Sequence, residues 1–326
     1  MKRGFSIFWM LYMLFFAIPF PMLLYYNIKS EEPLDIEGSN PWLSLGLVAL
    51  SMVFWIILLA GYYRKWVLQV FSAKRNMESL KKNGVRREAR ILESVNLTKP
   101  NAGYNTYELS LSFKNLANTE IIQKAGINDM KPCERRFEVD KRVGLLIDKE
   151  MKHIPYFIFE NSEGSIRKGV IALINLGWLT LLTVVVGYYI YSYQTESEGM
   201  GWRFMSFGHP LLICPAVLLF YRVLLGFITG KLSGVPDDAP LIKFKGVRTT
   251  AKQISANLTG TYINEQPMVN FELEFVDYQN HTHRASIKKI VSLLDLDSTR
   301  QKTADIFYLK EDPRKIAFTS DLNEIS

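Results

Sequence analysis

Cysteine and histidine are scarce in this 326-residue sequence, which holds two cysteines and four histidines. Cys133 lies in a polar segment and Cys214 lies within an apolar run. The first thiol is therefore expected in water and the second in lipid, where they cannot pair. A disulfide framework is therefore not predicted.

Patterns that bind metals or phosphates are also lacking. The sequence holds no Cys-x-x-Cys, no His-Glu-x-x-His, no Walker-type motif and no dinucleotide-binding glycine pattern. His281 and His283 would share one face of a strand, a geometry that can hold zinc, but no further ligand pattern completes a site. A solvated strand face is the favoured interpretation, and no metal or cofactor is predicted.

A nucleophile with a base beside it is missing as well. Cys133 is flanked by Lys131, Arg135 and Arg136, which favour a thiolate, yet no candidate base lies nearby in sequence. His153 stands equally alone. Two acidic pairs have simple structural interpretations. Asp237 with Asp238 is interpreted as a linker turn, and Asp295 with Asp297 as an exposed helix face. We therefore predict no catalytic residue and no enzymatic activity.

Charge is missing from four long stretches, residues 4–28, 38–63, 169–195 and 204–221. About 20 apolar residues in a helix cross a hydrocarbon core roughly 30 Å thick, so four membrane spans are predicted. The first stretch is too long and too bulky for a signal peptide. Arg222 lies near the end of the fourth span, at about 206–226, where its side chain can reach the headgroups.

Positive charges flank the spans on one side. Both short loops between the spans of a pair are acidic. Because cytoplasmic flanks are rich in Lys and Arg, the N- and C-termini are predicted to be cytoplasmic in a bacterial inner membrane. The residues concerned are Lys2, Arg3, Arg64, Lys65, Arg167, Lys168, Arg222 and Lys231. Much of the net charge of +7 thus sits beside the bilayer, so the lipid bilayer is a predicted partner and nucleic acid is not.

The sequence repeats itself at a nearly constant offset. Gly-Val-Arg-x-x-Ala begins at Gly84 and again at Gly246, and Phe113 corresponds to Phe275 at the same spacing. Farther along, Phe157 corresponds to Phe318, one position short of that offset. These matches indicate an internal duplication in which Gly-Val-Arg marks the entry to the first strand of each copy.

Each copy contains short alternating segments separated by turns, which predict strands. The fold class is therefore membrane α-helical plus all-β, with four transmembrane helices in two hairpins, each hairpin followed by a small cytoplasmic β-barrel or sandwich. Residues 286–302 have helical spacing and predict an inserted helix.

The predicted domains are a hairpin over 1–63, a basic amphipathic linker over 64–83, a β domain over 84–163, a hairpin over 164–230, an irregular linker over 231–245 and a β domain over 246–326.

The 64–83 linker leaves two alternatives open. Its apolar residues lie on one face, so it either continues the second span into the cytoplasm or lies on the headgroups as an amphipathic helix.

The duplicated pattern resembles a bacterial membrane-anchored family of unknown function, whose small β domain opens Gly-x-x-x-x-Ala and closes with an Asp-Pro turn. The matching residues are Gly84 with Ala89, Gly246 with Ala251, and the closing segment 308–318. The first copy lacks the Asp-Pro turn. The resemblance covers about half of the chain and implies no active site.

Without a chemical cluster, the favoured function is non-enzymatic: the duplicated β domains bind a protein partner or associate with one another. The alternative is an immunity protein that protects the producing cell against a membrane-targeting toxin or a secreted effector. A transporter or channel is less favoured, because the only ionisable residues in the spans are Arg222 and His209 near their ends. An enzyme at the membrane surface is the weakest hypothesis.

Overall fold

The structure, a computed structural model, describes residues 2–29, 38–100, 103–164, 166–232, 238–263, 265–292 and 301–324. The chain forms two compact units. The helical unit comprises Met1–Ser72 and Ile166–Thr229, and the β unit comprises Ala73–Ser165 and Gly230–Ser326. Each compact unit therefore combines a segment from the first half of the chain with one from the second.

Apolar helices make up the helical unit. They are α1 (Lys2–Ala17), α2 (Pro19–Lys29), α3 (Pro41–Tyr63), the start of α4 (Gln69–Asn83), α5 (Lys168–Glu196) and α6 (Pro210–Leu232). Four helical segments are long and apolar enough to cross a membrane: Phe8–Asn27, Pro41–Asn83, Lys168–Glu196 and Pro210–Phe227. They coincide with the four predicted spans. Large apolar side chains such as Leu173, 72% exposed, and Val223, 71% exposed, cover their outer surfaces.

The ends of these helices follow from local sequence. Asn40 caps α3, because its side-chain oxygen accepts the N–H of Trp42 at 3.0 Å, and Pro41 occupies the first turn, where no N–H is needed. A π-helical turn, Arg64–Leu68, connects α3 to α4 without a break. Of the two alternatives for residues 64–83, the structure has the one in which the second apolar helix continues.

Two five-stranded antiparallel sheets make up most of the β unit. The first repeat contributes β1 (Val85–Asn96), β2 (Asn105–Lys114), β3 (Glu120–Asp129), β4 (Arg142–Ile147) and β5 (Phe157–Phe159). The second repeat begins with a short helix, α7 (Ala239–Lys245). It continues with β6 (Val247–Ile263), β7 (Gln266–Val276), β8 (Thr282–Ile290), β9 (Thr303–Tyr308), β10 (Ile316–Phe318) and a final helix, α8 (Thr319–Glu324). The sheets run β3-β2-β1-β4-β5 and β8-β7-β6-β9-β10, the first a half-barrel and the second a near-barrel.

Strand pairing confirms the duplication. Ile91 of β1 pairs with Leu111 of β2, and their counterparts at the repeat offset, Gln253 of β6 and Leu273 of β7, pair in the same way. The register then shifts at the same place in both sheets, between residues 91 and 93 and between residues 253 and 255. A bulge raises local twist and curvature, so both sheets curl at equivalent points.

The repeated glycine is required by close backbone packing. The N–H of Gly84 donates to Leu80 O, and the N–H of Gly246 donates to Ile242 O, each at 2.8 Å. A Cβ at Gly84 would lie 2.5 Å from Leu80 O, and a Cβ at Gly246 would overlap Ile242 O. Each glycine thus lets a helix pass directly into the first strand of its repeat.

One prediction for the second repeat is wrong, and another is tested only at its beginning. Within residues 286–302, which were predicted to contain an inserted helix, residues 286–290 belong to β8, and residues 293–300 lie outside the described part of the chain. The linker 231–245 was predicted to be irregular, yet its last seven residues form α7. Pro240 is tolerated in the first turn, and Ile242 and Phe244 are buried, which contributes roughly 2 kcal/mol for each side chain.

The core of the first sheet contains side chains from the second repeat. Ile242 and Phe244 of α7, Phe307 of β9, Leu309 after it and Leu322 of α8 pack with the buried face of β1, β2 and β4. Residues of both predicted β domains therefore share the core of the first sheet, whereas the second sheet also has a separate core made of residues of the second repeat alone.

Candidate functional site

A buried asparagine joins the two repeats of the β unit. Asn115 follows β2, and its side-chain oxygen accepts the backbone N–H groups of Ala117 and Thr119, both at 2.9 Å. Its amide nitrogen donates to the carbonyl oxygens of Lys243 at 3.0 Å and of Gly246 at 2.8 Å. Because Asn115 is fully buried, these bonds have no competing water. The turn between β2 and β3 is thereby fixed to the C-terminal end of α7. We call this contact the repeat seam.

An aromatic side chain of α7 completes the repeat seam. The ring of Phe244 packs against Phe113 of β2 and Phe157 of β5, with centroid distances of 6.3 and 5.8 Å. Its carbonyl oxygen accepts the N–H of Leu116 at 2.9 Å. The apolar contact and the backbone hydrogen bond act on the same residue, so α7 is held in one position on the first repeat.

A lysine is buried in the same helix. Lys243 is 1% exposed, and its desolvation lowers the pKa of its ammonium group to about 8. Since a charged ammonium group is costly to bury, this side chain weakens the fold below that pH. Its backbone carbonyl nevertheless makes one of the two bonds to Asn115.

The second repeat has the two histidines of the His-x-His pattern, and both face a carboxylate. His283 Nε2 lies 2.8 Å from Asp277 Oδ2, and His281 Nδ1 lies 3.6 Å from the same oxygen. Burial alone would raise the pKa of Asp277, but bonds from His283 and from the N–H groups of His281 and Gln279 outweigh it and lower the pKa to about 2. The sequence did not identify Asp277 as the residue that meets both imidazoles.

The other residues considered from the sequence are dispersed. Cys133 is exposed in a 3-10 turn, Pro132–Glu134, and His153 is exposed after β4. Asp238 precedes α7 and pairs with Lys315 at 2.7 Å. Asp237, Asp295 and Asp297 lie outside the described residues. Within the described residues, no group of three or more His, Cys, Asp and Glu side chains is placed to hold a metal ion.

A second buried polar cluster lies in the helical unit, between the end of α2 and the segment that joins α5 to α6. Glu196 ends α5 and is 8% exposed. It accepts hydrogen bonds from the hydroxyl groups of Tyr25 at 2.8 Å and Tyr26 at 3.2 Å, and His209 Nε2 lies 3.3 Å from its Oε1 atom. Tyr188 extends the cluster through a 3.1 Å contact with Tyr26.

The hydrogen bonds of His209 define its tautomer. The N–H of Leu211 donates to His209 Nδ1 at 3.1 Å, so Nδ1 carries no proton. The proton therefore sits on Nε2, from which it is donated to Glu196. His209 is fully buried, and its neutral ring both supports the first turn of α6 and satisfies the carboxylate.

Sequence reasoning missed the role of Glu196, which it assigned to an acidic outer loop. Its partners Tyr25 and His209 are 171 and 13 residues away in the chain, so local spacing gave no signal. Asn115 and Asp277 were also missed. Extending the repeat offset two positions past Phe113 and Phe275 would have found them as a pair.

Comparison with known proteins gives little. No protein-family model matches the chain, and no curated protein matches it. A solved structure of a replication protein A heterotrimer bound to single-stranded DNA is similar at 9% identity, with a TM-score of 0.15. That match covers 69% of this chain and 43% of the other chain, so this chain spans less than half of its length. A TM-score this low carries no argument about fold or function.

Proposed function

We propose that this chain is a multi-pass protein of a bacterial inner membrane whose two cytoplasmic β repeats bind each other and together bind a protein partner. The role needs no catalytic group. Four helices of suitable length and composition support the membrane assignment, and the positive flanks of those helices support cytoplasmic termini.

The shared core of the β unit is the observation that carries the proposal. Side chains of α7, β9 and α8 lie in the core of the first sheet, so the pairing of the repeats occurs within one chain. Two repeats fixed in this way present one continuous binding surface. Little conformational entropy is then lost when a partner binds.

One part of that surface has the features of a strand-binding edge. The first sheet is a half-barrel, and a cavity of about 480 Å³ is lined by Lys124, Ala125 and Gly126 of β3 and by Phe157 and Phe159 of β5. In the near-barrel of the second repeat, the equivalent strands β8 and β10 are in contact. An open sheet edge next to aromatic side chains suits an extended protein segment, which pairs with the backbone and places side chains in the gap.

In-cell photocrosslinking from two equivalent positions tests the proposal. A photoreactive residue at Gly126, where a Cβ meets open space, is expected to capture one discrete protein. The matched control is the exposed Lys288, at the same position of the second repeat. We expect capture at Gly126 and not at Lys288, and we expect the captured protein, when tagged, to recover this chain in return. Capture of a toxin would identify the immunity alternative, whereas equal labelling or no labelling at the two positions would contradict binding at this edge.

A further inference from the structure

A second cavity in the β unit has a different chemistry. It measures about 510 Å³ and opens where the two repeats meet. Four cationic side chains line it, Arg87, Lys149, Lys245 and Lys310, against a single carboxylate, Glu311. Three positive charges therefore remain in excess in a cavity of the size that small ligands occupy.

The duplication itself brings these charges together. Lys149 follows β4, and its counterpart in the second repeat, Lys310, follows β9. In a single β domain, one such lysine would stand alone at the end of a strand. At the repeat seam, both copies line the same cavity, and α7 adds Lys245 from its last turn.

None of the four cations lies within ion-pair distance of a carboxylate of the described residues, and Lys245 Nζ donates to the backbone carbonyl oxygen of Glu150 at 3.5 Å. Arg87 donates from Nη2 to Asn118 Oδ1 at 3.2 Å and to Asn115 O at 3.4 Å, which fixes its guanidinium group. Its Nε atom is buried and has no hydrogen-bond partner among those residues. Lys310 lies over the ring of Tyr278 at 4.8 Å, a contact that leaves its charge in place.

An unpaired buried donor beside uncompensated charge is costly unless an acceptor is supplied from outside. A phosphate group carries several anionic oxygens on one phosphorus atom. It can therefore accept hydrogen bonds from a fixed guanidinium group and from several lysines at the same time. The cavity also has an apolar side, formed by Leu116, Leu241 and Leu309, which suits the organic part of a ligand. We propose that this cavity binds the phosphate group of a small anionic ligand.

Two sources offer that group, a soluble phosphorylated molecule and the headgroup of an anionic phospholipid. The experiment uses the full chain in nanodiscs. One arm titrates inorganic pyrophosphate into phosphatidylcholine discs, and the other replaces part of the lipid with phosphatidylglycerol. Hydrogen exchange at residues 145–150 and 307–312 is the readout, supported by calorimetry for pyrophosphate. Protection in the first arm identifies a soluble source, and protection in the second arm alone identifies lipid.

Variants connect that binding to the cavity. The double variant Lys149→Gln with Lys310→Gln is expected to weaken binding about tenfold or more, and Arg87→Gln about tenfold, since each removes a charged bond to the anion. Lys288→Gln is the matched control, because it removes an exposed lysine of the same unit away from the cavity, and less than a twofold change is expected. No protection in either arm, or equal binding by the double variant and the control, would overturn the proposal.

Discussion

Asn115 and Asp277 occupy the same position of the two repeats and build the same turn. The side-chain oxygen of each accepts two backbone N–H groups, from residues two and four positions later. Asn118 and Asn280 then take the left-handed conformation, with φ of 61° and 65°. The other polar atom of each side chain has a different partner. The amide nitrogen of Asn115 donates to the end of α7, whereas the second carboxylate oxygen of Asp277 contacts His283.

Replacing Asn115 by Asp tests the repeat seam. The aspartate keeps the oxygen that forms the turn but sets a second oxygen against the carbonyl groups of Lys243 and Gly246. We expect the free energy of unfolding of the β unit to fall by roughly 3 kcal/mol, because two buried carbonyls lose donors and a charge is buried. Urea unfolding with hydrogen exchange of residues 239–245 measures it. Exposed Asn128→Asp is the control, and similar losses in the two variants would argue against a specific seam.

The low pKa of Asp277 predicts that the free energy of unfolding decreases in acid. A carboxyl group with a folded pKa of about 2, against 3.8 ordinarily, stabilises the fold above pH 3.8, and this contribution disappears as the pH falls toward 2. Wild type should therefore be more stable than Asp277→Asn above about pH 4, and the difference should vanish near pH 2. Circular dichroism melts of both proteins across this range measure it. A difference that persists unchanged at pH 2 would show that the charge of Asp277 is not involved.

Lys243 predicts the opposite dependence on pH. With a folded pKa of about 8, against 10.5 ordinarily, its buried charge destabilises the fold below pH 8, and the penalty is relieved as the pH rises from 8 to 10.5. Lys243→Met should raise the free energy of unfolding at pH 7, by up to roughly 3 kcal/mol. The gain should shrink toward pH 10.5. Urea unfolding at pH 7 and at pH 10 compares the two proteins, and a gain that does not change with pH would point to packing alone.

The glycine at the helix-to-strand junction should not accept a side chain. Gly246→Ala places a Cβ against Ile242 O and 3.1 Å from Tyr308 O, both backbone atoms that cannot move aside alone. We expect a loss of roughly 1–3 kcal/mol in the free energy of unfolding. Gly126→Ala is the matched control, because it lies in a strand where a Cβ meets nothing within 4 Å. Equal stability of the two variants in urea unfolding would refute the steric reason for the repeated glycine.

The cluster around Glu196 should stabilise the helical unit. Glu196→Ala leaves the hydroxyl group of Tyr25 and the Nε2–H of His209 without their acceptor, at a cost of roughly 1–3 kcal/mol for each buried donor. All six tryptophans belong to this unit, so thermal unfolding in detergent followed by tryptophan fluorescence reports on it selectively. Exposed Glu198→Ala should have little effect. Melting temperatures lowered equally by both variants would contradict the prediction.

Elements with a strong local pattern were predictable from the sequence. The four uncharged stretches coincide with the four long apolar helices, because hydrophobic length alone identifies them. Alternation located the strands of both repeats, and the repeat offset predicted a duplicated β domain, which the matching strand orders of the two sheets bear out. The choice between barrel and sandwich depends on curvature introduced by bulges, which the alternation does not encode.

Elements that depend on distant partners were not predictable. Residues 239–245 carry the composition of a loop, and they form a helix because Ile242 and Phe244 are buried by the other repeat. Glu196 is buried by Tyr25 and His209, which no local spacing links to it. In both cases the deciding contact comes from another element of the chain, so local propensity was overridden by tertiary packing.

The repeat seam also makes the two copies unequal. The turn at Asn115 receives the helix of the following repeat in a head-to-tail manner, and such contacts extend indefinitely when every copy offers the same acceptor site. At the second turn, Asp277 has no amide hydrogens to donate to the two carbonyl groups at the end of another such helix. Its Oδ2 atom instead contacts His283. One atom type at one position therefore distinguishes the first turn, which holds a following helix through two donated hydrogen bonds, from the second turn, which has no such donors.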